Sequence, residues 1–546
     1  MKKAILLALA AALIFAVLVL PNHPAVTGWS ALSRFPLELP VILLLMIIAG
    51  RAWGVASMLV FLLACVLFVA TFLKLADYAM FVAYGRNFNP ILDTVLIGSG
   101  IGLLRDSIGT PLAVLVVIAA FIVLVALFWL LLKSLVVWTR LTIPPLARIG
   151  AMISLLVFGG WAVADAGHDL KYKRFTIDPP GTAWTSRHIV EHGVEMRDTA
   201  VDLVEFSRAA RDDIYADATG LLDLLEDQDV ILIYVESYGR ASFDNPLYAA
   251  THTATLESKL GPLKDAGFAV QSGWLSSPIT GGQSWLAHGT LSSGLWTSNN
   301  GRYNAMLASR RKSLFHIAQN NGFRTAAVMP GIKRAWPESV AMGFDQIVPA
   351  AGLNYKGEPF HWVTMPDQFT LAKFTDVLGE DSRADFIQIA LISSHTPWTP
   401  LPDAIAWEAI GDGTEFNDMA GRGPTPRELW KDHDNVRDAY RRALDYSLQV
   451  TFEYIAKQGK NAPLFFIVGD HQAWEYIAGS DSHDVPMHVV GPPELVARLN
   501  DWGWQEGLIP GGAGRRMDTF RNDFIKAFTG SDTDAHTNAR KAESNQ

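Results

Sequence analysis

Five apolar runs, Ala4–Leu20, Pro40–Gly50, Ala56–Leu73, Pro111–Leu132 and Ile149–Ala164, open this chain and decide its class. A bilayer core takes about 20 apolar residues per helix, and Pro111–Leu132 supplies 22 without a charge. The pattern predicts an N-terminal α-helical membrane domain of about five spans. The second span needs to start near Phe35, which leaves Glu38 at an interface. The first run follows Lys2 and Lys3 and reads as an anchor, because no clean small-residue cleavage site follows it. A cleaved signal peptide is the alternative, and either choice leaves the C-terminal part outside the cytoplasm. Lys133, Arg140 and Arg148 then face inward, as the positive-inside rule favours. Lys74, Arg86 and Arg105 fall on the outer side. The mixed, Gly-rich stretch Asp77–Gly109 reads as interfacial. The spans carry almost no charge, which speaks against a transporter.

Beyond His168 the composition is that of a soluble protein. The expected organisation is a membrane domain at 1–165, a juxtamembrane connector at 166–221, an α/β domain at 222–530 and a disordered tail at 531–546. Lys171–Arg174 is a basic cluster suited to lipid head groups. Short apolar runs at Val230–Val235, Phe268–Leu275, Phe323–Met329, Phe386–Ile392, Leu464–Val468 and Met487–Val490 alternate with helical patterns such as Arg310–Asn320 and Val436–Gln458. Such alternation predicts a largely parallel central sheet. A net charge of −9 argues against nucleic acid as a partner. The single cysteine, Cys65, lies in an apolar run and excludes disulfide frameworks and CxxC metal sites.

Three strands run into polar residues of the kinds that hold metals. Val230–Val235 ends at Glu236, Phe386–Ile392 at Ser393-Ser394-His395, and Leu464–Val468 at Gly469-Asp470-His471. In open α/β sheets ligands bind beyond the carboxyl ends of the strands, so these residues are expected at one rim. Glu236, Asp470 and His471 form a mixed oxygen and nitrogen set that suits one divalent ion. Two carboxylates nearly cancel the ion's charge and make its burial tolerable. A hydroxyl followed by two glycines, Thr280-Gly281-Gly282, offers a nucleophile with room for close approach of a substrate. Thr280 is the first candidate and Ser284 the second.

The strings ILIYVESYGR, Thr280-Gly-Gly, ISSHTPW and FFIVGDHQ, in this order, resemble the alkaline-phosphatase/sulfatase superfamily. With the N-terminal spans, the chain most resembles its lipoteichoic acid synthase branch of membrane-bound phosphoglycerol transferases, to which phosphoethanolamine transferases are related. The resemblance implies a sulfatase-like fold and metal ligands Glu236, Thr280, Asp470 and His471, with Thr280 as nucleophile. It implies substrate-binding roles for His395, Trp336 and Arg334, and a second active-site histidine at His483. It further implies one metal ion, Mn2+ first, with Zn2+ and Mg2+ as alternatives. The implied reaction moves phosphoglycerol or phosphoethanolamine from a membrane phospholipid to a glycan, lipid or polymer acceptor through a phospho-threonine. A phosphodiesterase or phosphatase using water is the alternative. The implied place is a bacterial inner membrane with the catalytic domain outside, and no obligate protein partner is evident. The cysteine-based sulfatase motif is missing at Ser277-Pro278, and the disulfides of many phosphoethanolamine transferases cannot form, which tilts the resemblance towards the lipoteichoic branch.

Overall fold

The computed structural model describes residues 1–24, 35–50, 53–84, 86–166, 181–333, 336–459 and 462–530. The basic cluster at 171–174, Arg334 and the tail at 531–546 lie outside them. The chain divides into two compact units, Met1–Asp202 and Leu203–Gln546.

The first unit holds α1 (Lys2–Leu18), α2 (Glu38–Ala49), α3 (Trp53–Tyr84), α4 (Thr94–Ile108), α5 (Thr110–Thr139), α6 (Pro145–Ala166) and the part of α7 (Trp184–Ala209) up to Asp202. Each of the five apolar runs is helical. Ile14, Leu18, Met46, Ala64, Leu67, Leu131 and Leu135 form a shared buried seam among α1, α2, α3 and α5. Among the described residues, three stretches have the length and hydropathy to cross a membrane: Gly54–Val82, Thr110–Thr139 and Pro145–Ala166. The 17 residues of α1 and the 12 of α2 fall short of the expected five, because at 1.5 Å per residue they reach only about 26 and 18 Å. Leu115, Phe121, Ile122 and Val123 on α5 face outward, as side chains in contact with lipid do.

Buried polar groups tie one end of these helices to α7. Lys74 Nζ donates to Leu18 O and Thr185 Oγ1, both at 2.8 Å. Glu38 Oε1 accepts from Ser186 N at 2.8 Å. Asp165 accepts from Ala183 N at 2.6 Å and pairs with Arg187. The ends of α1 and α6 and the start of α2 therefore lie together. The expectation of nearly uncharged spans is corrected here. Helix α3 runs on past Leu73 to Tyr84, and so carries Lys74 and Asp77 inside a 32-residue helix.

In the second unit one sheet carries nine strands: β1 (Val230–Val235), β2 (Ala269–Ser276), β3 (Arg324–Met329), β4 (Gln346–Pro349), β5 (Asp385–Ala390), β6 (Leu464–Gly469), β7 (Asp484–Gly491), β8 (Gln505–Glu506) and β9 (Gly511–Arg516). The order is β4-β3-β5-β1-β6-β7-β2-β8, with β9 against β2. Pairing is parallel from β4 to β6 and between β2 and β9, and antiparallel on both sides of β7 and between β2 and β8. The sheet is thus mixed rather than largely parallel. Periodicity within a strand carries no sign of its direction, which is why β7 was not distinguished in the sequence.

Strand β1 lies centrally and is buried throughout, so it reads as an unbroken apolar run. Its side chains alternate between two cores. Ile231, Ile233 and Val235 face α8 (Pro246–Asp265), α11 (Asp367–Leu378) and α12 (His433–Ala456). Val230, Leu232 and Tyr234 face α9 (Ser284–Ser293), α10 (Leu314–Asn320) and α13 (Phe520–Ala527). Helix starts are capped: Asn245 accepts from Leu247 N, Ser313 and His316 close a capping box, and Asp432 accepts from Asp434 N and Asn435 N.

Register sets the rim. Val235 pairs with Gly469, so Glu236 and Asp470 leave adjacent strands side by side. Two glycines allow the turns to close against each other. An alanine Cβ at position 469 would stand 1.7 Å from Tyr238 O, and one at position 239 would stand 1.9 Å from Gln472 Oε1. Gly469→Ala is therefore expected to cost about 1–3 kcal/mol, read as a lowered Tm of the full chain in detergent.

Candidate active site

The residue after β1, Ser237, sits at φ 57, in the left-handed region. That strain turns its backbone N–H to Asp470 Oδ1 at 2.8 Å, and its hydroxyl donates to Glu236 Oε1 at 2.9 Å. Asp470 Oδ1 also accepts from His471 N at 2.7 Å. His471 Nδ1 donates to Gln472 O at 3.0 Å, since a carbonyl only accepts. In the neutral ring the lone pair therefore falls on Nε2, which lies 3.3 Å from Glu236 Oε1 and 3.7 Å from Asp470 Oδ2. Glu236, Asp470 and His471 are buried, with ligand atoms all within 4.8 Å of one another.

Two carboxylates confined this closely require a positive partner. Burial opposes the Glu236 charge, yet His471, and then His395, outweigh it and hold this carboxyl below its ordinary value. Burial and the neighbouring Glu236 push Asp470 up. Burial opposes the His471 charge as well, but Asp470 and Glu236 beside it raise the imidazole to about 9. Without a cation the trio keeps a proton in its place, so this donor set fits a divalent ion. It follows that binding must expel that proton. Affinity for Mn2+ is expected to rise about tenfold per pH unit from neutrality up to about pH 9 and to level off above it. Calorimetric titrations at stepped pH read this slope directly.

The two candidate hydroxyls separate clearly. Thr280 is exposed, pairs through its backbone with Gln472, and its side chain makes no hydrogen bond among the described residues. Ser284 opens α9, and its hydroxyl lies 3.0 Å from Glu236 Oε2 and 3.2 Å from His471 Nε2. The hydroxyl beside the ligand trio is therefore Ser284 and not Thr280. The intervening Gly281, Gly282 and Gln283 all have positive φ, and this turn carries the chain four residues further before its hydroxyl faces the rim. Helix α9 also points its N-terminus there, which favours negative charge.

His395 follows β5 and is half-buried. Its Nδ1 donates to Thr396 O at 2.6 Å, leaving Nε2 free, and it acts on the charge of Glu236. His483 reaches the same rim because β7 runs antiparallel and starts there. Its Nδ1 donates to Ser277 O at 3.0 Å, and Ser277 Oγ in turn donates to Asp470 O at 2.7 Å. Trp336 packs its ring on Phe344, with centroids 6.0 Å apart.

One residue escaped the sequence reading. His288, one turn after Ser284, is buried with its ring 3.8 Å from that of Tyr234. Its Nε2 has no hydrogen-bond partner among the described residues, and burial drives its imidazole down to about 3, so it stays neutral. Its i, i+4 spacing from Ser284 was the available signal.

Residues 228–489 match the sulfatase family model. No curated protein sequence matches the chain. Among solved structures, the lipoteichoic acid synthase LtaP of Listeria monocytogenes shares 13% identity, covering 51% of this chain and 70% of its own, at TM-score 0.36. The Streptococcus pyogenes phosphoglycerol transferase GacH in complex with sn-glycerol-1-phosphate shares 12%, covering 63% and 96%, at TM-score 0.32. The soluble domain of lipooligosaccharide phosphoethanolamine transferase A from Neisseria meningitidis shares 14%, covering 58% and 91%, at TM-score 0.36. At these scores the three structures establish no activity for this chain.

Proposed function

We propose that the chain, whose residues 228–489 match the sulfatase family model, transfers a phosphorylated head group from a membrane phospholipid to an acceptor outside the cytoplasm. The observation that carries this reading is the Ser284 hydroxyl, 3.0 and 3.2 Å from two members of a buried Glu-Asp-His trio at a helix N-terminus. Glu236, Asp470 and His471 would hold one divalent ion, Mn2+ first. Bound there, it would neutralise phosphoryl charge and make a nearby hydroxyl more acidic.

The rest is work for side chains. Ser284 Oγ directs its proton at Glu236 Oε2 and bonds to phosphorus. The bond from phosphorus to the diacylglycerol oxygen breaks, and His483 supplies that oxygen with a proton. The head group is left as a phospho-serine in place of the phospho-threonine implied by the resemblance. An acceptor hydroxyl then attacks phosphorus, giving its proton to His483, while the bond from phosphorus to Ser284 Oγ breaks and Oγ takes back its proton from Glu236. His395 and Arg334 stabilise the phosphoryl oxygens, and Trp336 lines the substrate pocket. The apolar helices keep the site near a donor that never leaves the bilayer, which raises its effective concentration. A five-span passage puts the α7-bound helix end outside in a bacterial inner membrane. Glycan, lipid or polymer acceptors all offer the required hydroxyl.

Fluorescent phosphatidylglycerol and phosphatidylethanolamine, incubated with the purified chain and Mn2+, test this. Diacylglycerol release with head group attached to an added acceptor is the expected result. Free glycerol phosphate or phosphoethanolamine as the sole second product would make the protein a hydrolase.

A further inference from the structure

A second trio sits in the first unit, apart from the site above. Asp77 on α3 meets His188 and His192 on α7, with His188 Nε2 at 2.5 Å and His192 Nε2 at 3.0 Å from the same oxygen, Oδ2. All three side chains are buried, and their ligand atoms lie within 4.8 Å of one another. The two histidines stand at i, i+4 on one helix face, with ring centroids 4.6 Å apart. The carboxylate comes from a helix more than a hundred residues away in sequence.

The electrostatics call for a cation. The Asp77 side chain is 1% exposed. Its Oδ1 accepts from Phe88 N at 2.8 Å, and no arginine or lysine pairs with it among the described residues. Lys74, one turn earlier, spends its protons on Val17 O, Leu18 O and Thr185 Oγ1. Asp77 Oδ2 faces the two imidazoles, so the buried charge is balanced only when a ring is protonated or a cation is bound. Two imidazole nitrogens crowding one carboxylate oxygen bring three donors of a tetrahedral site to one point. Two nitrogens and one oxygen suit Zn2+ better than Mg2+ or Ca2+, which prefer all-oxygen shells.

We propose that Asp77, His188 and His192 bind a divalent cation of the zinc type, which fastens α7 to α3 and leaves one coordination position open. The site is separate from the Glu236 trio and does not depend on the function proposed for it.

The test uses the full chain in detergent, carrying Glu236→Gln, Asp470→Asn and His471→Gln so that only this trio remains. After metal depletion it is titrated with Zn2+ alone and read by elemental analysis. One bound equivalent is expected, and adding His188→Gln and His192→Gln should remove it. Zinc X-ray absorption on the loaded triple variant should show two imidazoles and one carboxylate, a readout that does not require the further variant to fold. No stoichiometric zinc in a folded triple variant, zinc retained after both histidines are replaced, or a zinc shell lacking imidazole would overturn the proposal. A trio that only hydrogen-bonds would give the first of these outcomes.

Discussion

Ser284→Ala is expected to lower diacylglycerol release by at least about 1,000-fold, the scale on which removal of a covalent nucleophile acts, while Thr280→Ala retains most activity. The difference lies in where the chain puts each oxygen. Ser284 Oγ touches Glu236 and His471 at the start of α9, whereas Thr280 is exposed ahead of a Gly-Gly turn. Alanine suits a first helical turn, so the fold should survive, and an unchanged far-UV circular dichroism spectrum with an unchanged Tm checks that. The reverse pattern, Thr280→Ala dead and Ser284→Ala active, would return the nucleophile to position 280.

Glu236→Gln is expected to weaken Mn2+ binding by more than about 100-fold and to reduce turnover in step with site occupancy. Glutamine keeps the length of the side chain but only one acceptor oxygen, so the change removes the charge and one of the two bonds that Ser237 and Ser284 give to Oε1 and Oε2. Removing it leaves Asp470 as the only carboxylate of the trio. His471 then loses one of the two charges that lift it to about 9, so the variant's affinity should also depend on pH over a lower range. Chelation of the wild-type chain should abolish turnover, and added Mn2+ should restore it. Calorimetry and initial rates measured on the same samples separate loss of binding from loss of fold. Full activity after chelation would remove the ion from the account.

Much of this site was legible because strands announce their own ends. Val230–Val235 and Leu464–Val468 are apolar on both faces, so the first polar residue after each had to emerge at the rim, and Glu236 and Asp470 did. The hydroxyl was harder, because a turn of three positive-φ residues separates Thr280 from the ligands. Ser284, the second candidate, lies after that turn at the helix start, with its oxygen beside Glu236 and His471. His483 reached the rim through the antiparallel β7, whose direction the hydrophobic pattern does not encode. The five apolar runs were legible as helices, but α4 lay in the stretch read as interfacial, and the span count was not legible, since α1 and α2 are shorter than a bilayer requires on helical residues alone. The meeting of Asp77 with His188 and His192 was invisible, because nothing local links α3 to α7.

The most direct test of the central claim is to trap the covalent enzyme. Phosphatidylglycerol or phosphatidylethanolamine is mixed with the Mn2+-loaded chain without an acceptor, quenched in acid, and the tryptic peptide spanning 265–302 is fragmented, since it carries both hydroxyls. The account predicts a phosphorylated head group on Ser284. A head group on Thr280, or lipid turnover with this peptide unmodified at every time point, would contradict it.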